Sequence, residues 1–228
     1  MTRLPPIRRR KQEARFCEFD HHGPAGPLPH PGGGRPRPLP IPLGGPGQRQ
    51  DPDPHPGAPA EYGEHSPGVW VHKTASAAPT AFLGAPCIIG PGAGVRHCAF
   101  IRDSALVGGG CVVGNSVELK SVILFSGVQT PHYSYVGDPI LGFKNHMGAG
   151  SITSSVKSGK TLVTVRNGEE RLETGWKKFG AILGDHVEAD CNSVLNPGPI
   201  LGRNASVYPL SSVRGAVPPD SIFKEALI

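Results

Sequence analysis

The sequence predicts an all-β chain wound into a parallel β-helix, and three observations predict it. A branched aliphatic or Ala recurs every six residues, at Val71, Ala77, Leu83, Ile89, Val95, Ile101, Val107, Val113 and Leu119. Four places after these stands a second small or apolar residue, from Ala75, Ala81 and Cys87 through Ala105, Cys111 and Val117. Gly often follows the first, as in Ile89-Gly90 and Val107-Gly108. A helix repeats its apolar positions about every 3.6 residues and a half-buried strand every second one, so neither explains the hexad. A fixed hexad marks a parallel β-helix, in which each unit is one short strand plus a corner. Three units close a triangular coil, and the inward aliphatics then stack at roughly 4.8 Å. Small residues suit the narrow interior near the corners, and Gly tolerates the left-handed backbone that tight corners need.

The elements follow in order. Residues 1–68 hold no Val, two Ile and dense Pro and Gly, as in Pro36-Arg37-Pro38-Leu39-Pro40. Such a segment buries too little apolar surface to offset its ordering entropy, so it is expected to be disordered or extended. It is read either as a genuine tail or as a frame-shifted reading of a GC-rich gene. The repeat domain is expected over 69–217, and 218–228 as a C-terminal tail. Within the domain the count slips to five at Leu119–Leu124 and again at Val136–Leu141, and resumes after an interruption at Leu183. The interruption, 158–178, carries alternating Thr161-Leu162-Val163-Thr164-Val165, then Arg166-Asn167-Gly168-Glu169. Asn-Gly between alternating runs predicts a β-hairpin, read as projecting from one corner, either as decoration or as a flap over a ligand.

Composition limits the partners. The net charge of +5 is spread over tail and repeats, and no basic face interleaved with aromatics stands out, so no nucleic-acid partner is expected. The Arg8-Arg9-Arg10-Lys11 run reads as solvated charge. No apolar run reaches the roughly 18 residues of a transmembrane helix and no apolar stretch follows the basic N-terminus; no membrane is expected, and the cytoplasm is the default. Five cysteines with no Cys-x-x-Cys argue against a disulfide framework, and Cys87 and Cys111 fall in the small inward slot.

Stacking turns spacing into geometry. Arg102 and Lys120 each follow an inward aliphatic and lie one 18-residue coil apart, which places one above the other. Two cations so close repel unless an anion lies between them, which suggests a phosphate site. His97, Asn115 and His132 share another column, and His132 sits in Thr130-Pro131-His132-Tyr133-Ser134-Tyr135-Val136-Gly137-Asp138, rich in reactive groups. Histidine titrates near neutrality and suits general-base work; equally, column histidines can simply hydrogen-bond along the helix. A zinc site from His72, His97, His132 and His146 is disfavoured by their wide spacing, and no metal is expected.

Gly114-Asn115-Ser116-Val117-Glu118-Leu119-Lys120, Pro131 to Asp138, and Gly148-Ala149-Gly150-Ser151-Ile152-Thr153 resemble the acetyltransferase half of bifunctional UDP-N-acetylglucosamine pyrophosphorylase/glucosamine-1-phosphate N-acetyltransferases. The resemblance is closer still to short bacterial proteins made of this β-helix alone. It implies a left-handed β-helix, a homotrimer with sites between subunits, and acyl-CoA as co-substrate. By position, His132 matches the general base that takes a proton from a sugar amine. Arg102, Lys120 and Tyr135 match groups binding the sugar phosphate, Lys178 matches a lysine that contacts the sugar ligand, and Asn115 lies in the matched motif. The chain departs from the pattern at His146 (Asn in the family), Ser155-Val156 (Asn-Tyr) and Cys191 (Ser), and the long C-terminal arm on the acetyl-CoA side is not matched. Pyrophosphorylase chemistry needs a separate nucleotide-binding α/β domain, which residues 1–68 do not supply. Two functions are therefore expected to compete: an acyl-CoA-dependent N-acyltransferase acting on an amino-sugar phosphate or nucleotide amino sugar, and a non-catalytic trimeric sugar-nucleotide-binding module partnering a separate nucleotidyltransferase.

Overall fold

The computed structural model describes residues 61–224; the segment read as a disordered tail lies outside them up to residue 60. Among the described residues there is no helix, and the strands stack in parallel as a β-solenoid of about nine turns. The hexad is its cause. Ile89, Ile101, Val113, Leu119, Leu124, Val136, Leu141, Met147, Leu195 and Val213 point inward and are essentially fully buried. Burying each such side chain contributes roughly 1.5–3 kcal/mol. The second position four residues on supplies the slot: Ala93, Ala99, Cys111 and Val117 are buried in the first half. Further along, the slot holds hydroxyls that find acceptors at once, as Ser151 Oγ does on the Gly148 carbonyl at 2.7 Å and Ser193 Oγ on that of Tyr208 at 2.9 Å. Burial pushes the Cys87 thiol up to about 12 and that of Cys111 to about 11, which keeps both as unreactive packing groups.

Each coil has three sides. The outward column of the first side runs Phe82, Phe100, Glu118, Tyr135, Ile152, Val194. That of the second runs Trp70, Ile88, Leu106, Ile123, Ile140, Ile182, Ile200. The third carries Gly94, Val112, Gln129, His146, Glu188 and Ser206. Corners turn through positive φ. One corner is made by Gly92, Gly110 and Gly127, then by Lys144, His186 and Asn204, each with φ between 53° and 65° except Gly127 at 75°.

The solenoid is longer than the repeat predicts at both ends. Strand Tyr62–Ser66 precedes residue 69 and pairs antiparallel with Val69–His72. At the other end Ile222–Phe223, in the expected tail, pairs in parallel with Ser206–Val207. At the C-terminal end the step of six persists from Val217 to Phe223, both packed on the core, whereas the antiparallel Tyr62–Ser66 does not carry it.

The hairpin is present but does not project. Its strands are Thr164–Asn167 and Glu170–Glu173, with Asn167 opposite Glu170. Gly168 is the first central residue of the turn, at φ 59°. The first strand lies back on later coils. Val163 and Val165 are buried, and Cβ atoms built on Gly198 and Gly215 would meet Val163 Cγ1 at 2.8 Å and the Arg166 carbonyl at 2.9 Å. Buried Val163 just before the strand and Val165 within it anchor the hairpin, so the flap reading gives way to a strap across the corner. The second strand is exposed throughout.

Candidate functional site

His132 ends the strand Gln129–His132, where the third side turns into the first. Its backbone is held firmly: the His132 carbonyl accepts from Ser134 Oγ at 3.0 Å and from the Gly150 N–H at 3.3 Å. Its imidazole is exposed and has no hydrogen-bond partner among the described residues. The other histidines of interest are engaged. His72 is buried between Thr74 (2.8 Å) and Glu61 (3.3 Å), His97 shares a hydrogen bond with Thr80 Oγ1 at 2.9 Å, and His146 pairs with Glu188 at 3.0 Å. A rigid mount with a free ring is what a proton acceptor needs. Column-mate Asn115 pairs with His132 in register, but its amide is used along the column, donating to the His97 carbonyl at 3.0 Å and accepting from Ser116 Oγ at 3.1 Å.

The cations sit at the next corner and correct the expected stacking. Ile101 faces Leu119, but Asp103, not Arg102, faces Lys120. The seven residues from Ile101 to Val107 run beside the six from Leu119 to Leu124, and the surplus is taken up as a bulge at Arg102. Nor do the two cations face one another unpaired. Arg102 Nη1 donates to Glu118 Oε1 at 3.2 Å, with the guanidinium half exposed. Lys120 Nζ lies 3.0 Å from Asp138 Oδ1, with the two side chains only 14 % and 17 % exposed. Repulsion between Arg102 and Lys120 is therefore relieved by carboxylates, and it supplies no argument for a phosphate. Lys120 keeps donor capacity, since an ammonium has three N–H groups and its other neighbour is Ser121 Oγ at 3.5 Å. Asp138 Oδ2 is buried without a partner.

Tyr135 lies between the two corners, with Glu118 on the rung before it. Burial holds its phenol above the ordinary value; Asp138 and Glu118 add to the rise, and Lys120 and Arg102 oppose it. The phenol is thus a neutral donor and acceptor at physiological pH. Its ring leaves no room for a side chain at residue 137, where a Cβ would lie 2.6 Å from the Tyr135 hydroxyl. Lys178 rejoins the coils beside this group: it bridges to Val156, and two residues later the Gly180 N–H donates to the Asp138 carbonyl at 3.2 Å. Its side chain is exposed.

The first side thus gathers Arg102, Glu118, Lys120, Tyr135 and Asp138, with His132 at one end and Lys178 near the other. Glu118 and Asp138 were not singled out from the sequence, although counting through the five-residue step would have set them beside the cations. None of these residues lines the shallow groove on the third side, which is bordered by Gln129, Lys144, Asn145, His146, His186 and Glu188. Among the described residues no group of three or more His, Cys, Asp or Glu is placed to hold a metal ion.

No family model matches the chain. It is 33 % identical over 111 residues to a bifunctional sugar-1-phosphate nucleotidylyltransferase/acetyltransferase of Sulfurisphaera tokodaii, covering 49 % of this chain and 28 % of that protein. It is 31 % identical over 132 residues to the bifunctional protein GlmU of Methanococcus aeolicus, covering 57 % and 32 %. Over that stretch the chain is related to GlmU-type bifunctional proteins. It spans about a third or less of the length of these GlmU-type relatives. A variant of AntD, an N-acyltransferase from Bacillus cereus solved with dTDP and coenzyme A, is a more distant likeness, at 19 % identity and a TM-score of 0.35 over 68 % of this chain and 74 % of that one.

Proposed function

We propose that the chain is an acyl-CoA-dependent N-acyltransferase whose acceptor is an amino-sugar phosphate or a nucleotide-linked amino sugar. The free imidazole of His132, on a clamped backbone beside a face of paired cations and a neutral phenol, carries this reading. His132 takes a proton as the acceptor nitrogen attacks the thioester carbonyl. The C–N bond forms, the C–S bond breaks, and the proton passes to the departing CoA thiolate. Lys120 and Arg102 hold phosphate oxygens, Tyr135 hydrogen-bonds the sugar, and Lys178 reaches the ligand from the rejoining strand. The relationship to bifunctional proteins supports this half of their chemistry, because a purely β-strand solenoid offers none of the α/β phosphate-binding framework that nucleotidylyl transfer uses.

The assembly proposed is a homotrimer. Its support is the second side, where Trp70, Ile88, Leu106, Ile123, Ile140, Ile182 and Ile200 form one outward apolar ladder, with Ile88 41 % and Ile140 36 % exposed. A continuous apolar strip of this length is unusual on a lone soluble chain, and a closed ring of copies covers it on every subunit. Sedimentation equilibrium on the full chain is expected to give three times the chain mass; a monomer would overturn the assembly. Acyl-CoA is used in the cytoplasm, which is where this reading places the protein.

The direct test is release of free CoA thiol when the purified chain meets acetyl-CoA with glucosamine-1-phosphate or a UDP-linked amino sugar. Release dependent on the amine is expected. No release, together with calorimetric binding of the sugar nucleotide but not of acetyl-CoA, would replace the enzyme with a sugar-nucleotide-binding module.

A further inference from the structure

Phe82 and Phe100 occupy consecutive rungs of the first side's outward column, 56 % and 40 % exposed. Their ring centroids are 5.4 Å apart and tilted by 52°. Single exposed apolar residues need no explanation, but these two form a contiguous aromatic surface that leads straight into the polar group described above. The next rung is Glu118, which holds the bulged Arg102 guanidinium at 3.2 Å, and the rung after that is Tyr135. Read along the solenoid axis, the order is two aromatic rings, a half-exposed cation, then a phenol with a lysine ammonium beside it.

We propose that Phe82 and Phe100 form a stacking platform for the base of a nucleoside diphosphate, which makes the acceptor a nucleotide-linked sugar rather than a free sugar phosphate. The inference rests on the acyltransferase reading for the sugar end only. Every base has a π-face, and stacking on an aromatic side chain is tolerant of base identity. Arg102 engages one N–H with Glu118 and has others of its five to offer, so it meets the diphosphate where charge complementarity requires it. Glu118, on the same rung, is an acceptor for ribose hydroxyls. Three coil steps separate Phe82 from Tyr135, about 14 Å at the strand spacing, so that base and sugar are divided by the two phosphates.

Calorimetric titration of the full chain with UDP, with GDP and with glucosamine-1-phosphate tests this, alongside the Phe82→Leu/Phe100→Leu variant. Leucine keeps apolar bulk and removes the π-face. UDP and GDP are expected to bind the wild type and to lose about ten-fold or more in affinity in the variant, with glucosamine-1-phosphate changing less than about two-fold and the sedimenting mass unchanged. Nucleotide binding indifferent to the variant, or absent while glucosamine-1-phosphate binds, would overturn the platform. So would a change in assembly mass, which would make the rings a contact between copies. The two readings fail separately. Nucleotide-independent acyl transfer to glucosamine-1-phosphate removes the platform and leaves the enzyme, whereas Phe-dependent nucleotide binding without thiol release removes the enzyme and leaves the platform.

Discussion

Replacing His132 by alanine is expected to lower acyl transfer by about two to four orders of magnitude, the range of a positioned general base, with the assembly and melting temperature unchanged. The fold has little stake in this side chain. The imidazole is exposed and without a partner among the described residues, and the bonds that hold the corner come from its carbonyl, which the substitution keeps. His97→Ala serves as the control: it removes a ring that is tied to Thr80 one coil from Asn115, and turnover should stay within a few-fold of wild type. Thiol release by the His132 variant at the wild-type rate would sink the assignment of the base.

Replacing Lys120 by methionine is expected to have the largest effect on stability. Lys120 and Asp138 are 14 % and 17 % exposed and 3.0 Å apart. Asp138 Oδ2 is already buried without a partner, so among the described residues the lysine provides the one side-chain bond its carboxylate makes. Removing one member of a fully buried pair leaves an uncompensated charge and costs about 3–5 kcal/mol; this pair is part-buried, so solvent offsets a portion of that cost. The expected result is a marked fall in the urea midpoint at fixed protein concentration, with partial recovery in the Lys120→Met/Asp138→Asn double variant, which no longer buries a charge. Equal midpoints for the single variant and wild type would mean that Asp138 finds water or another donor, and that the pair is not structural. Turnover in the double variant then isolates what Lys120 does for substrate.

The hexad was legible because inward packing is unforgiving. Leu119 and Leu124 are fully buried although five residues apart, and the step between them is visible by eye. Its consequence for the outside was harder to see. The inward residues absorb a missing position at a corner, whereas the outward ones change neighbours, and that is how Asp103 rather than Arg102 came to face Lys120. Spacing therefore brings Arg102 and Lys120 to neighbouring coils but misses which residues face one another across them. The hairpin followed a similar course. Asn167-Gly168 announced a turn, yet the resting place of its first strand depends on Gly198 and Gly215 in coils that come later in the chain, and no local signal encodes a contact at that separation. Strand Tyr62–Ser66 left no trace in the repeat because it runs against it.

That reversed strand has a consequence of its own. A parallel solenoid ends in open backbone, and a second solenoid offering a parallel strand could continue it indefinitely into a fibre. By pairing Tyr62–Ser66 backwards onto Val69–His72, the chain fills one side of its leading edge with a strand of the wrong polarity for such growth. The plug is short and carries Glu64 and His65, features that discourage pairing at an edge. Among the described residues, that side of the leading edge is thus closed to growth by an in-register parallel strand.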